Sequence, residues 1–246
     1  MSFVTGNNQS QLPQFTTLGD QHQPELEEYS TAIGWLDEVS KVNGAYIHVP
    51  FCFHKCHYCD FFSVIGKKDQ YQKFVERMVR ELSLVGQKMH KVNTIYVGGG
   101  TPTLLPVELL EEMLDAICTY LPMDGETEFT VEANPETLTT EIASCLAANG
   151  VNRLSIGAQS FEMELLKQLE RWHDPQNVQR AVEISRQAGI DNINIDLIYA
   201  IPTQTIEQVQ EDLRIVIDLE PKHLSCYALT YEPNTPMRSK LDAGTI

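Results

Sequence analysis

The segment Ala45-Tyr46-Ile47-His48-Val49-Pro50-Phe51 runs directly into Cys52-Phe53-His54-Lys55-Cys56-His57-Tyr58-Cys59. A short apolar run closed by a proline reads as a buried strand feeding a loop. Three thiolates spaced C-x3-C-x2-C can wrap one face of an iron–sulfur cubane, leaving the fourth iron open to a small molecule rather than sealed by a fourth cysteine. Zinc is the competing metal, because His48, His54 or His57 can complete a Cys3His set. Against zinc, no second Cys/His knuckle follows within reach. Reduced, buried thiols are a third reading, although three cysteines in eight residues, interleaved with histidine and lysine, make an odd core.

Outward from that loop, a strand-then-helix alternation repeats. Asp69 is placed to cap a helix whose Phe74, Val75, Met78, Val79, Leu82 and Val85 share one face. Residues 94–97 form a second strand, followed by Gly98-Gly99-Gly100-Thr101-Pro102-Thr103 and a helix opening near Pro106, with Leu109, Leu110, Met113, Leu114 and Ile117 inward. Residues 128–132 and 153–156 are the third and fourth strands, with a helix over 139–148 between them. A longer connection, Gln159 to His173, leads to a helix over 175–188 ending at Gly189. Ile193, Ile195 and Leu197 alternate with polar residues in a fifth strand, Thr205 starts a helix with Gln208 as capping-box partner, and residues 223–227 are the sixth strand. Strand starts about 34 residues apart match βα units of about 30 residues or more. Such repeats build either a doubly wound sheet or a barrel, and spacing alone does not separate the two. Cys52–Cys59 follow strand one, Gly98–Gly100 follow strand two, Glu132 ends strand three and Gln159 follows strand four. Chemistry on α/β barrels gathers at that rim, so the residues read as one site.

The chain has 246 residues, enough for one or two domains, and is 42% hydrophobic and 21% charged, like an ordinary soluble globule. Its 34 acidic and 18 basic residues give a net charge of −16, which repels nucleic acid and anionic membranes and points to a small-molecule site. Cys118, Cys145 and Cys226 fall singly inside apolar segments, as in a reducing compartment. No apolar run reaches the roughly 18 residues of a membrane span. The first basic residue is Lys41, unlike a secretory or transit peptide, so a cytoplasmic protein is expected. Residues 1–43 read as a polar, acidic extension with a short helix over 29–39, and residues 44–246 as the core.

The glycine run either lets backbone approach a ligand closely or makes a sharp turn. Glu132 closes an apolar strand and therefore meets a cation, lies on a wet rim or joins a salt bridge. C-x3-C-x-Tyr58-Cys59, within Tyr46-Ile47-His48-Val49-Pro50-Phe51-Cys52, resembles the signature of the radical S-adenosylmethionine (SAM) superfamily. Within it, the context is similar to oxygen-independent coproporphyrinogen III oxidases and the haem chaperones related to them. The resemblance, from about residue 44 to the end, implies an α/β fold, a partial (β/α)6 TIM-like barrel. It implies a [4Fe–4S] cluster on Cys52, Cys56 and Cys59, with SAM chelating the fourth iron. One electron into the sulfonium then splits the adenosyl carbon–sulfur bond and gives a 5′-deoxyadenosyl radical.

By the same resemblance, Gly98, Gly99, Gly100 and Thr101 form the GGGTP element that holds the amino end of SAM, and Glu132, Gln159, Arg171 and Asp196 match SAM-contacting positions. Tyr46 matches a SAM neighbour and Tyr58 is the signature aromatic. An arginine can grip a carboxylate bidentately and an aspartate can accept ribose hydroxyls. The bland alternatives are a surface arginine at 171, a polar interior layer at 196 and an ordinary half-buried tyrosine at 46. The histidines, His173 and His223 included, are assigned no chemistry. Porphyrinogen oxidases carry a further cysteine where Phe61 stands, and Cys59-Asp60-Phe61 is the chaperone form. The resemblance therefore implies a haem chaperone that binds haem and passes it to an acceptor protein, with decarboxylation of a porphyrinogen as the alternative. A flavodoxin or ferredoxin would supply electrons. The remaining expectation is a non-catalytic zinc- or nucleotide-binding α/β protein. The family's C-terminal domain and its His-Asn-x-x-Tyr-Trp haem motif do not follow Ile246, so a core cut short is expected.

Overall fold

Six parallel strands pair in chain order: β1 (Gly44–Val49), β4 (Thr94–Gly99), β5 (Glu128–Ala133), β6 (Arg153–Gln159), β7 (Asn192–Tyr199) and β8 (His223–Ala228). The computed structural model describes residues 42–246, so the helix expected over 29–39 and nearly all of the expected extension lie outside the described residues. A doubly wound sheet reverses its strand order at a switch point. This sheet never reverses, and β1 and β8 are its two edges among the described residues. The winding is that of a barrel wall, left open between first strand and last. A small parallel pair, β2 (Phe51–Cys52) with β3 (Val64–Ile65), brackets the cysteine loop.

Alternation along each strand sorts the side chains onto two faces. Ile47, Val49, Ile95, Val97, Phe129, Val131, Leu154, Ile156, Ile193 and Ile195 are all at most 4% exposed and form the main core. The register places Tyr46 beside Tyr96, Glu132 beside Ser155, and Asp196 beside Ser225, so the opposite face is polar and aromatic. Right-handed crossovers put the connecting helices on one side of a singly wound sheet. The predicted apolar faces meet the core there: Val75 and Leu82 of α1 (Lys68–Val85), and Leu110, Met113, Leu114 and Ile117 of α2 (Val107–Tyr120). α3 (Thr140–Ala148) is capped by Thr139, whose hydroxyl accepts from Ile142 N at 3.2 Å. The predicted capping box at Thr205 and Gln208 opens α6 (Ile206–Asp218).

The structure differs from the sequence expectation at several places. Asp69 does not cap α1; it lies in the first turn, and Lys67 is the capping residue because Gln70 Oε1 takes the Lys67 N–H at 2.8 Å. The long connection after strand four contains a helix, α4 (Met163–Gln168), ahead of α5 (Gln176–Gln187). A last helix, α7 (Pro236–Asp242), follows β8. These two elements meet in a second apolar cluster of Leu165, Leu169, Ile198, Ile201, Leu229 and Met237. All six cysteines are free thiols, and Cys118 and Cys226 are exposed despite their apolar neighbours, because β8 is an edge strand and Cys118 turns its thiol onto Asn149 O at 3.2 Å. No helix among the described residues is long and apolar enough to cross a membrane.

Candidate functional site

A cavity of about 480 Å³ opens at the C-terminal ends of the strands. Cys52, Cys56, Cys59, Tyr58, Gly99, Gly100, Thr101, Glu132, Gln159, Arg171 and Asp196 all line it. Of the residues singled out from sequence, Gly98 and Tyr46 do not. Tyr46 is 60% exposed, stacks on Tyr96 with ring centroids 6.0 Å apart, and its hydroxyl lies 3.2 Å from His48 Nδ1.

The cysteine loop is held from both sides. His57 N donates to Leu169 O at 3.1 Å, and Met237 N donates to His57 O at 3.0 Å. His54 Nε2 bonds the carbonyl of Glu170, a residue in the left-handed region at φ 52°. Lys240 Nζ reaches His57 Nδ1 at 3.0 Å. Tyr58, between the second and third cysteines, packs into the second apolar cluster, which explains the aromatic there: it plugs the loop into α4, β7 and α7. Burial pushes the Cys52 and Cys59 thiols up, so loading a metal centre would release protons. Of the histidines of the zinc alternative, His48 Nε2 meets Phe62 O at 2.8 Å, His57 meets Lys240 as described, and His54 Nε2, beside the Glu170 carbonyl, also lies 3.9 Å from Cys56 Sγ. Among the described residues no three Cys, His, Asp or Glu side chains converge on a single-ion site. The three thiols line one cavity, as a three-cysteine iron–sulfur site requires.

The glycines are explained by their neighbours. A Cβ on Gly98 would lie 2.6 Å from the Glu132 carboxyl carbon, and one on Gly100 would lie 2.5 Å from Phe51 O. Gly99 adopts φ 105°, a conformation open to glycine, and gives its N–H to Glu132 Oε2 at 2.9 Å. Tyr96, which the sequence reading missed, donates its hydroxyl to Glu132 Oε1 at 2.8 Å. Burial raises the Glu132 pKa while these two donors work against the shift. Gln159 ends β6 at φ 67°, beside a register shift after Gly157. Asp212 of α6, 3% exposed, fixes that turn by accepting from Ser160 Oγ at 2.8 Å and Phe161 N at 2.7 Å.

Arg171 supplies a cation within this wall. Its Nη2 donates to Gly157 O at 2.9 Å and its Nη1 lies 3.9 Å from Cys56 Sγ. Burial opposes its charge, but Tyr58 and the Cys56 thiol carry the net pKa shift upward. Its buried Nε has no hydrogen-bond partner. An unsatisfied buried guanidinium nitrogen is costly, and a bound carboxylate would satisfy it. Together with three thiols and the carboxylates of Glu132 and Asp196 on the cavity wall, this donor set fits an iron–sulfur cluster and a zwitterionic cofactor. Tyr96, Ser155, Asn194 and Asp212 were not found from sequence. For the three strand residues the one signal is the period-2 recurrence of polar residues, and Asp212, on helix α6, has none.

A model of the Radical SAM superfamily matches residues 46–216. The heme chaperone HemW of Lactococcus lactis subsp. lactis (strain IL1403) is 40% identical over 208 residues, covering 85% of this chain and 54% of that protein. HemW of Escherichia coli (strain K12) is 40% identical over 198 residues, 79% of this chain and 52% of the relative. Among solved structures, coproporphyrinogen III oxidase (HemN) from Escherichia coli, described as a radical SAM enzyme, superposes with a TM-score of 0.73 at 26% identity, covering 84% of this chain and 49% of that one. The methyltransferase TsrM from Kitasatospora setae shares the fold, with a TM-score of 0.62 at 16% identity over 85% of this chain and 40% of that one. The chain spans about half the length of the curated relatives it matches.

Proposed function

We propose, from the premise that this chain belongs to the radical SAM superfamily, that Cys52, Cys56 and Cys59 hold the [4Fe–4S] cluster which membership implies, that SAM lies beside it, and that the protein binds haem and passes it to an acceptor. The observation that carries the first part is the convergence of the three cysteines with Arg171, Glu132, Gln159 and Asp196 on one cavity. When bound at these cysteines, such a cluster would supply a single electron to the cofactor's sulfonium. The chain's own groups would bind and orient the cofactor: Glu132, fixed by Tyr96 and Gly99, would take its amino end, Arg171 Nε its carboxylate, and Asp196, held by Ser155, its ribose hydroxyls. Gln159 completes the wall, and Tyr58 anchors the loop. Positioning and exclusion of water are the protein's share of such chemistry.

The haem assignment is supported by similarity to heme chaperones at 40% identity and by Phe61, which lines the cavity where the porphyrinogen oxidases carry a cysteine. Anaerobic reconstitution followed by electron paramagnetic resonance tests the core. A reduced-cluster signal that shifts on adding SAM and disappears in Cys56→Ala is expected; iron-free protein holding stoichiometric zinc would overturn it. Haem titration monitored by absorbance tests the role. Saturable haem binding is expected, whereas SAM-dependent decarboxylation of coproporphyrinogen without haem binding would return the protein to the oxidase reading.

A further inference from the structure

Asn194, in the middle of β7 and 1% exposed, joins three strands. Its Nδ2 donates to Ser155 Oγ at 2.7 Å and to Asp196 Oδ1 at 2.8 Å. Its Oδ1 accepts from His223 Nδ1 at 2.5 Å and from Ser225 Oγ at 3.0 Å. An amide offers two N–H donors and an oxygen with two lone pairs, so the capacity of this one is filled. Flipping it would set its N–H groups against the donors of His223 and Ser225, and its oxygen against the Asp196 carboxylate. Ser155 Oγ in turn donates to Asp196 Oδ2 at 3.0 Å. Each Asp196 oxygen therefore receives one hydrogen bond from behind, and the remaining lone pairs of a carboxylate on the cavity wall are left for a ligand.

Resting on the reading of Asp196 as the acceptor of SAM hydroxyls, we infer that Asn194 is a positioning residue that fixes the Asp196 carboxylate as a two-point acceptor, and that His223 and Ser225 of the edge strand β8 lock the amide that does so. A carboxylate held in its bound orientation loses less conformational freedom when the ligand arrives. A carboxylate oxygen accepts a stronger hydrogen bond from a hydroxyl than a neutral acceptor does. β8 supplies none of the SAM contacts assigned above, yet the network makes it a buttress of the cofactor site.

The test uses the reconstituted, cluster-loaded protein and compares dissociation constants for SAM and for an analogue lacking one ribose hydroxyl, by equilibrium dialysis. A charge-assisted hydrogen bond of about 1.5–3 kcal/mol corresponds to roughly 10- to 150-fold discrimination in the unaltered protein. In Asn194→Ala the discrimination is expected to fall to about threefold or less, with affinity for SAM falling more than affinity for the analogue. His223→Ala combined with Ser225→Ala, on the edge strand, is expected to lower it partially, and serves alone if the Asn194 variant does not fold. Discrimination retained in these variants, or equal loss of both ligands, would overturn the positioning role. Asp196→Ala separates the two levels: if it keeps full discrimination, the reading of Asp196 itself is wrong and the inference falls with it.

Discussion

At Gly157 a single methyl group would meet Gln159 Nε2 at 2.8 Å and Arg171 Nη2 at 2.9 Å. Both are cavity-wall groups, so Gly157→Ala is expected to weaken SAM binding at least tenfold by calorimetry while iron content per chain is unchanged. The stability cost of such overpacking is about 1–3 kcal/mol. Equal affinity in the variant would remove Gln159 and Arg171 from the cofactor's surroundings. Residues of this kind differ in how far a sequence discloses them. The cysteines stood out because their spacing is rare outside such chemistry, and the glycines through their place after the second strand and their match to a family motif. Tyr96, Asn194 and Asp212 did not, since each engages a partner distant in sequence, from 29 residues away for Asn194 and His223 to 52 for Asp212 and Ser160. Tyr46 shows the reverse case, a motif-matching residue whose hydroxyl turns to His48.

The last helix, α7, is a latch for the cysteine loop. Thr235 caps it by accepting from Arg238 N at 3.2 Å, Met237 is 1% exposed in the second apolar cluster, and its N–H holds His57 O. Met237→Ala is expected to cost roughly 2–5 kcal/mol, concentrated in this cluster rather than in the main core. The check is hydrogen exchange: amides of the cysteine loop should lose protection while those of β5 and β6 keep theirs, and the cluster should be lost faster to a chelator. A uniform loss would mean α7 is merely part of the global fold. Helices α4 and α7 went unread because each is seven residues or fewer, too short for a full helical period of apolar residues to register. After β1, the strands of the large sheet were read one to three residues short at their C-terminal ends, β4 stopping at Val97 instead of Gly99 and β6 at Ile156 instead of Gln159. Those ends give up apolar alternation where they begin to line the cavity.

Two properties belong to the molecule as a whole. His173 is 3% exposed, and burial followed by the charge of Arg171 lowers its pKa to about 3, against a weaker opposing hydrogen bond to the Ala158 backbone. The unfolded chain takes up that proton near pH 6.5 and the folded chain does not, so the stability present above pH 6.5 declines as pH falls toward 3. The slope from this one group is about 1.4 kcal/mol per pH unit. Denaturant titrations should show His173→Phe with a correspondingly flatter dependence between pH 6 and 4; an unchanged slope would place the proton uptake elsewhere. The net charge of −16 makes a second expectation. Reduction by an acidic electron-transfer protein should speed up with added salt, since screening relieves repulsion over a Debye length of about 10 Å at 0.1 M. Slowing with salt would indicate a local basic docking face instead. The sheet's unreversed order, finally, bears on synthesis. Every strand after the first finds its neighbour already made, so the wall can be laid down as the chain emerges from the ribosome. The loop carrying Cys52, Cys56 and Cys59 appears early, but Lys240, 183 residues beyond His57, is translated long afterwards. The nascent chain thus displays its thiols unfastened for most of its elongation, and iron can be delivered before the door is shut.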